Sequence, residues 1–232
     1  MPPELPAGAS SEPAVTSDAA TLGQVSEALG LGLSEHQIAQ LIAYRDLLLR
    51  WNQTYNLTSI REPQRALQQH VVDCVAVLPA LRRELAQDGD GVQLLDVGSG
   101  GGLPGLVIGM LEPRVQVTCL DAVAKKAAFV RQAIVELGLV NCEAVHARVE
   151  QHRFAPGYRV ITSRAFASLL DFTGWTRHLL APEKGVWVAM KGVEPTAELQ
   201  ALDASRTTFH VEHITWPGND SQRCLIWMRP PP

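Results

Sequence analysis

Residues 92–106 read V-Q-L-L-D-V-G-S-G-G-G-L-P-G-L. An apolar run leads into Asp96, glycine fills four of the positions 98–102, and Pro104 opens a further apolar segment. This order predicts a strand, a glycine turn and a helix, because glycine tolerates positive φ and lets the backbone approach a ligand closely. The helix N-terminus behind such a turn offers free N–H groups to an anionic group. The stretch is typical of a nucleotide-binding turn.

The chain before this stretch shows two different patterns. Residues 1–20 are rich in Pro, Ala, Ser and Glu and lack periodicity, so they are predicted to form a disordered tail. Residues 21–90 carry apolar side chains at helical spacing and predict a helical region. In that region Ser34 and Gln37 match a capping box that starts the main helix. A loop is expected over 51–63, where Asn, Thr and Ser compete with helical hydrogen bonding.

From residue 91 to 232, apolar strand segments alternate with helical segments. This alternation predicts a parallel sheet covered by helices. Strands at 209–214 and 224–228, separated by P-G-N-D, predict an antiparallel hairpin at the end. We therefore expect a Rossmann-like, doubly wound α/β fold over 91–232, with the helical region packed on it.

The composition limits the possible compartments and partners. The chain is 46% hydrophobic and 19% charged, and its net charge of −4 gives no global reason to expect a nucleic-acid partner, so RNA binding would need a local basic surface. Four scattered cysteines without C-x-x-C favour a reduced compartment over disulfides or a zinc site. No apolar run approaches the roughly 18 residues of a transmembrane helix, and no signal-peptide layout is present. A cytoplasmic protein without membrane contact or metal is expected.

The glycine spacing distinguishes between nucleotide ligands. A dinucleotide fingerprint counted from Gly98 needs glycine at position 103, where Leu103 stands. The pattern present, D-x-G-x-G-x-G, resembles the first motif of class I S-adenosylmethionine-dependent methyltransferases. Asp121 ends the second predicted strand, where an acidic residue can bind the ribose hydroxyls of either ligand. S-adenosylmethionine is favoured, while a dinucleotide and a non-binding packing turn stay open.

Missing motifs narrow the reaction. No [DN]-P-P-[YF] follows the fourth predicted strand, which argues against methylation of an exocyclic amine; S-R-A-F-A stands there instead. No cysteine has the nucleophile context that a pyrimidine C5 methyltransferase needs, and Cys119 is expected in the core. The lack of ligand clusters excludes a zinc-assisted thiol methyltransferase.

Several separated stretches match one family in order. They are W-N-Q-T-Y-N-L-T-S-I-R-E-P (51–63), H-V-V-D-C (70–74), L-L-D-V-G-S-G-G-G-L-P-G-L (94–106), A-R-V-E (147–150), S-R-A-F-A-S-L (163–169) and M-K-G (190–192). Together they resemble the RsmG (GidB) family of bacterial small-subunit rRNA guanine-N7 methyltransferases, from about residue 22 to the end. Gln69, Cys74 and Gly101 depart from residues common in that family, and Gln69 weakens any claim of a basic RNA contact there.

The resemblance implies transfer of the methyl group of S-adenosylmethionine to N7 of a guanine in 16S rRNA, at position 527 of the 530 loop. The implied cofactor-binding residues are Gly98, Gly100, Leu103, Asp121, Ala122, Val149, Glu150 and Arg164. The glycines and leucine belong to the first motif, the Asp-Ala pair to the ribose and adenosine end, and the Val-Glu pair to the adenine. Arg164 would close the site. Without the family, Val149 reads as core packing and Glu150 as a solvated charge.

The implied partner is 16S rRNA or the small ribosomal subunit, and nothing demands an oligomer. The RNA-binding candidates are Asn56, Arg61, His70, Arg148 and Lys191, together with Arg164, and Lys125, Lys126 and Arg131 as outer phosphate contacts. Cationic side chains on phosphates supply affinity, and a guanine in a single-stranded loop can be splayed out and read along its edges. Each candidate also has an ordinary explanation, such as a loop cap, a solvated helix face or a satisfied helix histidine.

Guanine N7 carries a free lone pair, so its attack on the sulfonium methyl group requires no deprotonation. We therefore assign no catalytic residue and expect alignment and desolvation to suffice. Two other functions stay open. One is a small-molecule methyltransferase dependent on S-adenosylmethionine, which the acidic net charge mildly favours, and the other is a nucleotide-binding regulatory module without catalysis.

Overall fold

A seven-stranded sheet forms the centre of the protein in a computed structural model, which describes residues 14–202, 207–216 and 222–230. The strands are β1 Val92–Val97, β2 Val115–Asp121, β3 Cys142–His146, β4 Val160–Arg164, β5 Val186–Lys191, β6 Thr208–His213 and β7 Cys224–Arg229. They lie in the order β3-β2-β1-β4-β5-β7-β6. The first five pair in parallel, and β7 is antiparallel to both β5 and β6. The predicted α/β fold with an antiparallel C-terminal pair is confirmed; the predicted P-G-N-D turn lies outside the described residues.

Strand β1 lies between β2 and β4. Strands β2 and β3 are therefore added on one side of β1, and the later strands are added on its other side. At such a switch point the carboxyl ends of the strands leave a crevice, which is where open α/β sheets bind ligands. Leu94 to Val97 of β1 are completely buried, as expected for a parallel strand covered on both faces. The glycine turn follows directly and therefore opens into this crevice.

Helices cover the sheet and form the N-terminal region. They are α1 Ala14–Ala28, α2 Glu35–Tyr55, α3 Pro63–Ala66, α4 Asp73–Val75, α5 Leu78–Glu84, α6 Gly105–Leu111, α7 Ala124–Leu137, α8 Leu169–Thr176 and α9 Thr196–Ala201, with a π-helical turn at Leu67–Val72 and short 3-10 turns at Val149–Gln151 and Arg177–Leu179. None of the described helices is both long and apolar enough to cross a membrane.

The predicted disordered tail is wrong over residues 14–20, which form the first part of α1. Asp18 in this helix is buried and makes an ion pair with Arg45 of α2, Nη1 to Oδ2 at 2.7 Å. A charge pair satisfied in this way, together with the buried Leu22, fixes a segment whose composition alone predicts disorder. Residues 1–13 of the predicted tail lie outside the described residues.

Helix α2 begins at the predicted capping box of Ser34 and Gln37 but continues four residues past Trp51, into the predicted loop. Buried Asn52 explains why the helix is longer than predicted, because its side chain bonds to the following loop and does not compete for the hydrogen bonds of the helix. It accepts from Thr58 N at 2.9 Å and donates to Ile60 O at 3.2 Å, and so shapes the loop after the helix.

The helical region shares one hydrophobic core with a face of the sheet. Leu41 and Leu48 of α2 and Leu67 of the π-helical turn belong to the same cluster as Leu94 and Val117 of the sheet. Helix α2 contacts both α6 and α7. The N-terminal helices are therefore held beside the glycine turn, at the carboxyl ends of the parallel strands.

Candidate functional site

The glycine turn after β1 has a backbone that favours glycine. Gly98, Gly100 and Gly102 have φ angles of +65°, +59° and +82°. A Cβ atom at Gly98 would collide with the ring of Phe166, and one at Gly101 would lie 2.9 Å from a methyl carbon of Leu48. The glycines therefore permit both the positive φ angles and the close approach of neighbouring segments.

Asp121 joins the end of β2 to this turn. Its side chain is buried, and Oδ2 accepts from Gly100 N at 2.9 Å while Oδ1 accepts from Val123 N at 2.8 Å. Lys126 Nζ lies 4.0 Å from Oδ2. The arrangement places a negative charge where the turn and the second strand meet, and the two backbone N–H groups orient the carboxylate.

A cleft of about 320 Å³, which we term the β2–β3 cleft, opens beside this carboxylate. Five predicted cofactor residues line it: Gly98, Asp121, Ala122, Val149 and Glu150. Its walls also include Leu120 and Ala147, and Val149 is buried. Apolar wall residues beside an oriented carboxylate suit a nucleoside, whose base is flat and whose ribose carries hydroxyls. The residues present therefore fit the adenosine part of S-adenosylmethionine.

Two aromatic residues that were given no role in the sequence also line the β2–β3 cleft. Phe166 and Trp175 meet edge to face, with ring centroids 5.9 Å apart. Phe166 lies in the S-R-A-F-A motif, which provided a signal that was not interpreted residue by residue. Trp175 lies on α8 and has no local motif, so only the fold brings it to the cleft.

A second cleft of about 370 Å³ lies between the glycine turn and the N-terminal helices, and we term it the helix-side cleft. Its lining includes Gly100 and Leu103 from the turn, Thr58 and His70 from the helical region, and Arg164 from the end of β4. Both clefts are also lined by Gly98, Lys126 and Ala165. The two clefts therefore adjoin at the glycine turn.

Arg164 is anchored to the helical region. Its guanidinium donates to Gln69 O at 3.1 Å, approaches His70 Nδ1 at 3.4 Å and lies 3.7 Å from Asp73 Oδ2. These partners belong to the π-helical turn and the start of α4, and π-helical turns are frequent at functional sites. Arg164 is absent from the lining of the β2–β3 cleft and lines the helix-side cleft instead.

His70 lies between Thr58 and Arg164. Its Nε2 atom is 2.7 Å from Thr58 Oγ1. Burial and, to a smaller extent, the positive charge of Arg164 lower the pKa of His70 to about 4. The imidazole is therefore uncharged at neutral pH, and Arg164 carries the positive charge at this end of the helix-side cleft.

Three buried polar atoms near the end of β1 have no hydrogen-bond partner among the described residues. They are Asp96 Oδ1, Ser99 Oγ and Thr162 Oγ1. Asp96 Oδ2 accepts from Gly105 N at 2.8 Å, and burial raises the pKa of Asp96 to about 7. Such atoms beside the turn fit a bound polar ligand, because buried polar groups rarely stay without a partner.

The remaining RNA-binding candidates are dispersed. Asn56 ends α2 in a left-handed conformation, and Arg61 is exposed; neither lines these two clefts. Arg148 lines the β2–β3 cleft, so it lies on the side that fits a nucleoside. Lys191 binds Glu198 with its Nζ atom, at 2.8 and 3.0 Å from the two carboxylate oxygens. His70 and Arg164 are therefore the predicted residues that the fold brings together beside the turn.

Lys125, Lys126 and Arg131, predicted as outer phosphate contacts, all lie on α7. Lys125 and Arg131 are exposed, whereas Lys126 is half-buried and lines both clefts. Lys126 therefore lies nearer to the glycine turn than its expected outer position suggested.

Solved structures share this fold. TrmN from Thermus thermophilus superposes with a TM-score of 0.51 and 22% identity, covering 70% of this chain and 53% of that chain. A predicted O-methyltransferase, Atu636 from Agrobacterium tumefaciens, superposes with a TM-score of 0.53 and 17% identity, covering 69% and 81%. Together with the glycine turn and the strand-end carboxylate, these likenesses define the class I methyltransferase fold.

Curated relatives are similar over nearly the whole chain. A ribosomal RNA small subunit methyltransferase G from Leptothrix cholodnii is 54% identical over 213 residues, covering 92% of this chain and 96% of the relative. One of the same name from Acidovorax sp. (strain JS42) is 51% identical over 215 residues, covering 90% and 94%. The family model described as GidB, rRNA small subunit methyltransferase G, matches residues 37–226. The chain belongs to this family, and the resemblance seen in its motifs is confirmed.

Proposed function

We propose that this chain transfers the methyl group of S-adenosylmethionine to N7 of a guanine in 16S rRNA, at position 527 of the 530 loop. The single observation that carries the proposal is the pair of adjoining clefts at the glycine turn. One cleft fits a nucleoside, and the other is bounded by the N-terminal helices and carries Arg164. The names of the relatives support small-subunit rRNA as the acceptor.

The β2–β3 cleft would hold the cofactor. Asp121 would bind the ribose hydroxyls, Ala122 and Val149 would contact the adenine, and Glu150 would lie at its edge. Gly98, Gly100 and Leu103 would contact the cofactor along the turn. When bound, S-adenosylmethionine supplies an electrophilic methyl group on a positively charged sulfonium. The carboxylate of Asp121 provides negative charge on that side of the turn.

The helix-side cleft would hold the target guanine. Guanine N7 already carries a lone pair, so the residues here need to position and desolvate the base, and no general base is required. Uncharged His70 and Thr58 line this cleft and bond to each other, so they would form a fixed wall beside the base. Arg164, fixed by Gln69, His70 and Asp73, would hold the nucleotide in line with the methyl group.

We further propose that the protein acts in the cytoplasm as a monomer. One chain supplies the residues of both clefts, so the site is complete without a second copy. We assign the protein to the cytoplasm because its proposed acceptor, small-subunit RNA, is located there.

Transfer of tritiated methyl groups tests this function. Wild-type protein is incubated with labelled S-adenosylmethionine and small ribosomal subunits from a strain that lacks the activity, with large subunits and a small-metabolite extract as parallel acceptors. We expect label in the RNA of the small subunit alone. Label in a small metabolite, with none in RNA, would favour a small-molecule methyltransferase, and cofactor binding without transfer to any acceptor would favour a regulatory module.

A further inference from the structure

A third cavity adjoins the helix-side cleft but has no role in the proposed transfer. It has a volume of about 430 Å³ and lies at the carboxyl ends of β4 and β5, next to the start of β7. We term it the β5–β7 cavity. It shares Arg164 and Ala165 with the helix-side cleft. An RNA chain that places one nucleotide in the helix-side cleft therefore has this cavity beside it.

The described residues that line the β5–β7 cavity carry more positive than negative charge. Arg164, Lys191 and Arg223 are its three cations, and Asp73 is its one carboxylate. Lys191 is also paired with Glu198 from outside the lining, which leaves the charge excess on the two arginines. Each of the three cationic side chains keeps about a fifth of its surface exposed, at 21%, 19% and 23%. The cavity therefore has a local positive excess on a chain whose net charge is −4.

Asp73 orients two guanidiniums at once. Arg223 Nε donates to its Oδ1 atom, and Arg164 Nη1 lies 3.7 Å from its Oδ2 atom. The Asp73 carboxylate is buried, with 9% of its side chain exposed. One carboxylate leaves a pair of guanidiniums with a net positive charge, and it fixes their planes. Preorganised guanidiniums are well suited to phosphate oxygens, which they bind with paired N–H groups.

We propose that the β5–β7 cavity binds the phosphate backbone of the RNA next to the target guanine, with Arg223 as the principal phosphate ligand and Asp73 as its positioning residue. This inference rests on the proposed function. A phosphate is favoured over a second base because the apolar lining residues Leu225 and Met190 are buried, whereas the three cations each keep part of their surface exposed. Arg223 precedes β7 directly, so it is held at the end of a sheet strand.

The same strand provides a matched control. Arg229 is the last residue of β7 and is also paired with a carboxylate, that of Glu84. Six residues of extended strand separate Arg223 and Arg229, which corresponds to about 20 Å. Arg229→Gln therefore removes an ion-paired arginine from the opposite edge of the sheet.

Steady-state methyl transfer to small ribosomal subunits at several salt concentrations tests the inference. For Arg223→Gln we expect KM for the subunits to rise roughly tenfold, the loss of one charge-assisted contact. The slope of log affinity against log salt should fall by about 0.7 for single-stranded RNA, with kcat and cofactor affinity within twofold. Arg223→Lys should restore the slope, and Arg229→Gln should behave as wild type.

Unchanged KM and slope in Arg223→Gln, with an active wild type, would overturn this inference and leave the proposed function intact. A loss of S-adenosylmethionine affinity without a change in the KM for subunits would also overturn it, because the cavity would then serve the cofactor. If the wild type transfers no methyl group to small subunits, the proposed function fails and this inference fails with it. Thermal unfolding of each variant controls for folding.

Discussion

The β2–β3 cleft and the helix-side cleft adjoin at one glycine turn but are built differently. Most of the β2–β3 cleft comes from the ends of neighbouring parallel strands, and its walls combine apolar and charged side chains around the carboxylate of Asp121. The helix-side cleft combines the turn with residues that precede the sheet in the chain, such as Thr58 and His70. The proposed cofactor side thus follows from the fold class, whereas the proposed acceptor side depends on how the N-terminal helices dock.

Besides the shared hydrophobic core, polar contacts join the helical region to the site. Arg164 reaches back to Gln69 O, 95 residues earlier in the chain. Tyr44 of α2 donates from its hydroxyl to Gly101 O at 2.5 Å, so the helical region also contacts the glycine turn directly. If the two clefts have separate tasks, substitutions on the two sides should separate cofactor binding from methyl transfer.

The largest effect is expected from Arg164→Gln. The variant loses the charge at the end of the helix-side cleft and its anchor to the helical region, so kcat for small subunits should fall about 100-fold through misplacement of the acceptor. Cofactor affinity, measured by calorimetry, should stay within threefold of wild type, and Arg164→Lys should recover only part of kcat because it cannot reach all three partners. A parallel loss of cofactor affinity would assign Arg164 to the cofactor side.

Asp121→Asn should produce the complementary result. Loss of a charged acceptor for the ribose hydroxyls is expected to weaken S-adenosylmethionine binding roughly thirtyfold, while KM for small subunits stays unchanged. Asp90→Asn serves as a control, since Asp90 is exposed in the turn before β1 at the opposite edge of the sheet. Equal effects on both substrates would mean that the two clefts are not separable.

Tyr44→Phe tests the contact between the helical region and the turn. Removing one buried hydroxyl that donates to Gly101 O should lower the free energy of unfolding by about 1 kcal/mol. Urea denaturation measures this change. Tyr55→Phe on the same helix removes an exposed hydroxyl and should have little effect. Equal stability of the two variants would show that the Tyr44 contact does not hold the turn.

The smallest effect concerns His70 and pH. Its pKa of about 4 in the folded protein lies below its ordinary value of 6.5 because of burial and Arg164. The uncharged form therefore stabilises the fold above pH 6.5, and this stabilisation is lost as the pH falls toward 4. Between pH 7 and pH 6 the loss should be about 0.7 kcal/mol, and His70→Asn should remove it. His36→Asn, at an exposed position, should keep the wild-type dependence in urea denaturation.

The sequence predicted which residues meet at the β2–β3 cleft better than those at the other two cavities, for a physical reason. Asp96, the glycines and Asp121 follow one another along two strands, and parallel strands end at the same edge of a sheet, so their proximity follows from local patterns. No local pattern predicts that Arg223 meets Asp73, which lies 150 residues earlier, or that Trp175 reaches the β2–β3 cleft.

Predictions from local composition were also wrong at two places where buried side-chain contacts stabilise a helix. Residues 14–20 have the composition of a tail, but the buried pair of Asp18 and Arg45 holds them in a helix. Asn52 was expected to begin a loop, but it bonds to the loop from within α2. In both places a buried polar side chain is satisfied by a partner that the local sequence does not reveal.

We propose that the helix-side cleft binds a guanine whose N7 atom accepts the methyl group without a general base. Mapping the position of the methyl group in the RNA tests this proposal most directly. Small-subunit RNA methylated by the wild-type protein is cleaved by chemistry specific for N7-methylguanine and read at single-nucleotide resolution. We expect one new cleavage, at a single guanine of the 530 loop. Incorporated label without such a cleavage, or label on an exocyclic amine or a ribose hydroxyl, would contradict transfer to N7 by positioning alone.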